Sequence, residues 1–232
     1  MKHPTRLLEI ERDLERSFVA EESALAREPK GWPASLIMFH IARWRERLRS
    51  GLTDFDAGRP YTPPPANIDE FNDQELPSGR DLTLKETSAR ADAELEALTG
   101  LIAKVGDQPF NWNLARTTGD ALVRNSYFHP RMHISEYWHE NGGNDRAHDL
   151  IETTATDLRE MWPAPLILGA ALYNLACVRA GQDRQGEALD LLEEAAPMRP
   201  DLCAAAARDS DLADLRDEPR LQTLVRSSAA QP

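Results

Sequence analysis

The sequence predicts an all-α protein whose main body is an up-down four-helix bundle with a long crossover loop. Three observations carry that expectation. Leu and Ala are abundant and β-branched residues sparse, a balance that favours helix over strand. Apolar residues recur at helical spacing in four separate stretches between Pro4 and Trp138. Between the second and third of these, a proline-rich run from Gly51 to Asp81 loses all periodicity and is long enough to be a crossover.

At 232 residues and 41% hydrophobic content, the chain suits one large domain or one domain with an appendage. The formal charge of −12 argues against nucleic-acid and anionic-membrane partners, because phosphate surfaces repel it. The local basic residues Arg43, Arg45, Arg47 and Arg49 are interleaved with Glu46 and read as a solvated helix face. Met1 to Glu15 lacks the apolar core of a signal peptide, and the apolar run Ala164 to Val178 contains Asn174 and is too short to cross a bilayer. Cys177 and Cys203 have no metal-type spacing and read as buried free thiols in a reducing compartment. The expectation is a cytoplasmic protein with no membrane partner.

The first helix is expected from about Pro4 to Ala26, with Leu7, Ile10, Leu14, Phe18 and Leu25 inside and Glu9, Arg12, Glu15 and Arg16 outside. Pro29, Gly31 and Pro33 break the chain, and Pro33 suits the first turn of the next helix. That second helix, Ala34 to about Ser50, carries Leu36, Ile37, His40, Ile41, Trp44 and Leu48 on one stripe. In the run that follows, Pro60, Pro63, Pro64, Pro65 and Pro77 exclude a helix or central strand across most of its length. Its middle, Asn67 to Asn72, offers an apolar pair that either docks on the bundle or belongs to a crossover that merely spans helix ends.

In the third helix Leu84, Ser88, Ala91, Leu95, Leu98, Ile102 and Val105 step by three and four. Thr83 is its N-cap, Glu86 the capping-box partner and Gly106 the stop. Its inner stripe holds nothing reactive and reads as scaffold. A short loop with Pro109, Phe110 and Trp112 leads to the fourth helix, Thr118 to Trp138. The inner stripe there is Leu122, Ser126, His129, His133 and Tyr137, with Asn125 and Glu136 at the edge; Asn141, Gly142 and Gly143 end it.

Half of the six histidines fall between positions 129 and 139. His129 and His133, four apart, share a helix face, so their rings can converge on one ion. His40 lies on the apolar stripe of another helix and offers a third nitrogen. A plain alternative exists for each: His40 as a core histidine satisfied by a carbonyl or carboxylate, the other two as a chance pair. Unpaired imidazoles on an apolar stripe need partners, however, and three histidines with open positions make a catalytic-type zinc, nickel or iron site. Glu136, one turn past His133, is the candidate acid/base or ligand-orienting group. Pro130 opposes helical geometry at His129, so the helix either kinks there or starts at Pro130 with His129 as its cap. His3, His139 and His148 read as surface residues.

Phe39-His40-Ile41-Ala42-Arg43-Trp44, His129-Pro130-Arg131-Met132-His133, Glu136-Tyr137 and the Gly142-Gly143 stop resemble the DinB-like superfamily of four-helix bundles. Asn67-Ile68-Asp69-Glu70-Phe71-Asn72 is similar to the loop of its ClbS/DfsB branch. The resemblance covers roughly residues 1 to 145 and implies a divalent metal held by His40, His129 and His133. Members include thiol-dependent transferases and isomerases and a hydrolase that protects against a genotoxin. A metal-dependent hydrolase or thiol transferase acting on a small molecule is therefore expected.

Farther on, Leu172-Tyr173-Asn174-Leu175-Ala176-Cys177, a turn around Gly181, and then Ala188, Leu192, Ala195 and Pro200 resemble one tetratricopeptide repeat. Arg179 departs from the usual aromatic residue, and Asp209 to Leu224 is similar to the cap that closes such repeats. One repeat cannot form a peptide-binding stack, so it is expected to pack on the bundle or on another subunit, a homodimer being one such assembly. The expected organisation is a bundle over 1–144, a connecting helix over 145–161, and a tetratricopeptide-like helical pair with capping helices over 162–232. The competing function is a non-catalytic binding or sequestering module that uses this extension for protein interaction or oligomerisation.

Overall fold

The computed structural model describes residues 4–25, 28–65 and 67–229; the expected helix end at Ala26, and His3, lie outside the described residues. Described residues are mostly helical, with one two-stranded sheet. They divide into two compact units, residues 1–147 and 148–232.

In the first unit, α1 spans Thr5–Ala24, and α2 spans Ala34–Asp56 directly after an extended Pro33. α2 runs past the expected end at Ser50 because Gly51 and Leu52 are buried and draw the last turns onto the core. A hairpin over residues 109–117 receives them: a Cβ at Gly51 would lie 2.5 Å from the Trp112 ring.

The crossover, where prolines exclude helix across most of the length, contains one short helix in its middle. α3, Ile68–Glu75, is capped by Asn67, whose side chain accepts from the Glu70 amide at 3.4 Å, and it runs on into a 3-10 turn over Leu76–Gly79. Two turns are too few for periodicity to register. α3 docks on α2 through polar and aromatic contacts. Trp44 Nε1 donates to Asn72 Oδ1 at 3.1 Å, Glu75 binds both Arg43 and Arg47, and the Arg47 guanidinium stands 3.8 Å from the Phe71 ring centre.

Helix α4, Leu84–Val105, opens with the expected capping box and closes on Gly106 at φ +72°. The loop expected after it is an antiparallel hairpin, β1 (Pro109–Trp112) and β2 (Ala115–Thr117), turning at Asn113 with φ +45°. Phe110 and Trp112 insert into a cluster with Leu48, Leu52, Leu95, Leu98 and Leu122. The chain then follows one helical path: α5 (Thr118–Val123), a π-helical turn over 124–128, and α6 (His129–Glu140). α2 packs most extensively on α4, and α1 packs on α4 and the π turn.

Arg45 is not on a solvated face and Glu15 is not outside: both are buried, and they form an ion pair between α2 and α1. Arg45 also donates to the carbonyls of Ala91 and Ser126, so it ties α1, α2, α4 and the π turn together. Beside this pair, buried Arg131 donates from Nε to buried Glu11 at 2.7 Å. Burial pushes the Glu11 carboxyl up to about 8, against the lowering by Arg131.

Helix α7 (Asn144–Met161) contains the division between the units. In the second unit α8 (Pro165–Gly181) pairs with α9 (Gln185–Ala195), burying Leu172, Ala176, Ala188, Leu192 and Ala195. The left-handed residue in their connection is Asp183, at φ +58°, rather than Gly181. Arg179 is buried, donating to Gln182 and paired with Glu152. α10 (Pro200–Ala205) pairs with α11 (Pro219–Ala229), with Leu212, Leu215 and Leu221 buried around them. Both cysteines are free; Cys203 is buried, whereas Cys177 is only half-buried. Among the described residues no helix is long and apolar enough to cross a membrane.

Candidate metal centre

His40 enters the site from the apolar stripe of α2, between Ile37 and Trp44, and is 4% exposed. His129 and His133 come from the start of α6, where Pro130 decides the local backbone. In a regular α-helix Pro130 would leave the Ser126 carbonyl without a donor and press its ring against it. The π turn resolves this. The His129 amide bonds back five residues to the Arg124 carbonyl, and the Ser126 carbonyl accepts from Arg45 Nη2 at 3.3 Å. Asn125 Nδ2 donates to the Trp44 carbonyl at 3.0 Å and pins the turn to α2, one helical turn from His40. His129 keeps helical angles, φ −61° and ψ −45°, so the helix neither starts at Pro130 nor uses His129 as its cap.

The three rings converge. His129 Nε2 lies 3.1 Å from His40 Nε2 and 3.0 Å from His133 Nε2. A ring nitrogen carries either one hydrogen or one lone pair, so hydrogen bonding satisfies at most one of these two contacts. Burial holds the His40 and His129 imidazoles neutral. It pulls His40 down to about 3, with His133 and Arg47 adding repulsion, and it holds His129 well below the usual imidazole range, helped by His133, His40, Arg124 and Arg45. Neutral nitrogens are the form that binds metal. Two nitrogens at about 2.1 Å from a shared ion stand roughly 3.0–3.4 Å apart. The observed separations of 3.0 and 3.1 Å fit that requirement.

Glu136 does not stand on the Nε2 side. Its exposed carboxylate lies 3.8 Å from His133 Nδ1, and interaction with that ring holds it below the usual carboxylate range. The geometry suits orientation of the ring from behind. Nδ1 of His129 is buried without a hydrogen-bond partner among the described residues.

Two tryptophans frame the centre, and only one of them stood out in the sequence. Trp44 packs edge-on against His40 and His129 and is held by α3. Trp32, hidden in the Pro29–Pro33 break, stacks on His133 at 5.6 Å and meets His40 edge-on at 5.4 Å. Its loop is tied to the end of α6 by Lys30 and Asn141, whose backbone and side-chain groups exchange hydrogen bonds of 3.0 and 3.3 Å. Beside His133 opens a cavity of about 320 Å³, lined by Gly31, Trp32, Ile37, Glu136, Tyr137 and Glu140.

A second set of possible donors, Cys177, Asp209 and Asp211, lies in the other unit. There burial pushes the Cys177 thiol up to about 12, opposite to what a thiolate ligand needs, and Asp209 already accepts from the Tyr173 hydroxyl at 2.7 Å. His139 is exposed, and His148 Nδ1 contacts Gln182 at 3.1 Å; neither belongs to the centre. Neither a protein-family model, nor a curated protein, nor a solved structure matches the chain.

Proposed function

We propose that this chain is a divalent-metal protein of the DinB-like kind, acting on a small molecule as a metal-dependent hydrolase or thiol transferase. In this reading α1, α2, α4 and the α5–α6 path are an up-down four-helix bundle, and α8 with α9 is a tetratricopeptide-like pair. His40, His129 and His133 hold a zinc, nickel or iron ion. The reading rests on the convergence of three Nε2 atoms, at 3.0 and 3.1 Å, in an arrangement that hydrogen bonding alone leaves unsatisfied. Such an ion supplies Lewis acidity, polarising a bound oxygen or sulfur and lowering its pKa.

The chain's own groups do the rest. Trp32 and Trp44 fix the ring planes and exclude water from the buried side. Glu136 orients His133 through Nδ1 and presents a carboxylate to the cavity.

Metal content measured by mass spectrometry tests this, after purification without added metal and after dialysis against zinc, nickel and iron(II). One equivalent per chain is expected. His40→Ala, His129→Ala and His133→Ala should each weaken binding by about tenfold or more, a loss of at least about 1.4 kcal/mol. Sub-stoichiometric metal that none of the three substitutions changes would overturn the proposal.

A further inference from the structure

We propose that the cavity beside His133 receives the protonated amine of a small substrate, so that the remainder of the molecule reaches the three histidines. The chemistry rests on the metal reading above; the amine binding does not. At about 320 Å³ the cavity is at the small end of the range for ligand sites. Trp32, Ile37 and Tyr137 give it aromatic and apolar walls, and His133 joins it to the centre.

The acidic groups decide the sign of the ligand. Glu136 and Glu140 line the cavity, and no lysine or arginine among the described residues lines it with them. Among the described residues the ionic partner of Glu136 is His133, at 3.8 Å, and Glu140 has no hydrogen bond or ion pair. Tyr137 adds no free donor, because its hydroxyl donates to Glu22.

The loop backbone also comes close to this acidic edge. Gly31, at φ +68°, lies where any Cβ would run into the Glu140 carboxylate. An ammonium group meets two carboxylates and the Trp32 indole there, and both attract cations. A carboxylate or phosphate would meet repulsion. With a divalent ion on the histidines, the two acids also balance its charge.

The test uses three probes of one shape: 2-phenylethylamine, 2-phenylethanol and 3-phenylpropionate. Each is titrated into chelator-treated and zinc-loaded full-length protein, and binding is read by chemical-shift changes at the Trp32 indole, assigned with Trp32→Phe. The amine should bind about tenfold or more tightly than either other probe, a preference of about 1.4 kcal/mol. Glu136→Gln and Glu140→Gln, both at exposed positions, should each erode that preference, and the double substitution should remove it. Amine selectivity in the chelated protein upholds the proposal even if zinc fails to bind. Equal binding of the three probes, tighter binding of the carboxylate, or no amine binding at millimolar concentration overturns it, even where zinc is held by the histidines.

Discussion

His40 and His129 are imidazoles that burial keeps neutral, and this has a definite pH consequence. The folded-state pKa of His40 falls to about 3, below its ordinary value near 6.5, so between those limits the unfolded chain binds a proton that the folded chain refuses. The shift at His129 has the same sign. Their contribution to stability is therefore complete above about pH 6.5 and is lost as the pH falls toward the folded-state values. Each group contributes a slope of about 1.4 kcal/mol per pH unit within its window. Urea unfolding of chelator-treated protein should show a lower midpoint at pH 5 than at pH 7, and His40→Gln should flatten the difference. An unchanged midpoint between these pH values would contradict neutral burial. Both histidines were legible in the sequence as inward-facing; their neutrality was not, since it depends on which charges surround them.

At the scale of elements, the π turn and α3 hold the centre in place. Pro130 removes a donor from α6, and Arg45, reaching across from α2, supplies one to the stranded Ser126 carbonyl. Arg45→Met should destabilise the protein by about 3–5 kcal/mol, because it leaves Glu15 buried without its partner. Adding Glu15→Leu should recover part of this loss but not all, since the Ala91 and Ser126 carbonyls remain without the guanidinium. Full recovery in thermal or urea melts would show that those two carbonyl bonds contribute nothing. A sequence signal for the buried charges did exist. Arg45 keeps step with Ile41, Leu48 and Leu52, and Glu11 and Glu15 keep step with Leu8 and Phe18, all on buried stripes. Charge alone does not mark the outside, because a guanidinium and a carboxylate on facing stripes can bury each other. α3 escaped for another reason: a helix of eight residues is stabilised by its docking on Trp44, Arg43 and Arg47 more than by its own pattern.

For the whole molecule, a ligand that binds only the folded state raises its stability by mass action. If the three histidines hold a divalent ion, zinc at a thousand times its dissociation constant should add about 4 kcal/mol. Differential scanning calorimetry should then show Tm rising with zinc concentration in the parent chain and staying level in His129→Ala. A parallel rise in both would place the zinc elsewhere. The pairing of α8 with α9 needs no ion: Ala176, Ala188 and Ala195 are fully buried small residues, and they allow the helices to approach closely.

By itself the sequence determined the helical class, the capping box at Thr83 and Glu86, the stops at Gly106 and Asn141–Gly143, and the inward phase of His40, His129 and His133. Each of these depends on a single residue's backbone freedom or on residues three or four positions apart, which the local sequence encodes directly. Only the tertiary structure decided that part of the crossover folds as α3, that a hairpin buries Trp112, and that charges lie buried between the helices. It also decided that Trp32 stacks on the centre and that Pro130 leaves the two α6 histidines aligned. These outcomes rest on contacts between residues far apart in the chain, such as His40 with His129 and Arg45 with Ser126. No local pattern carries such contacts, because their energy exists only once the helices have packed.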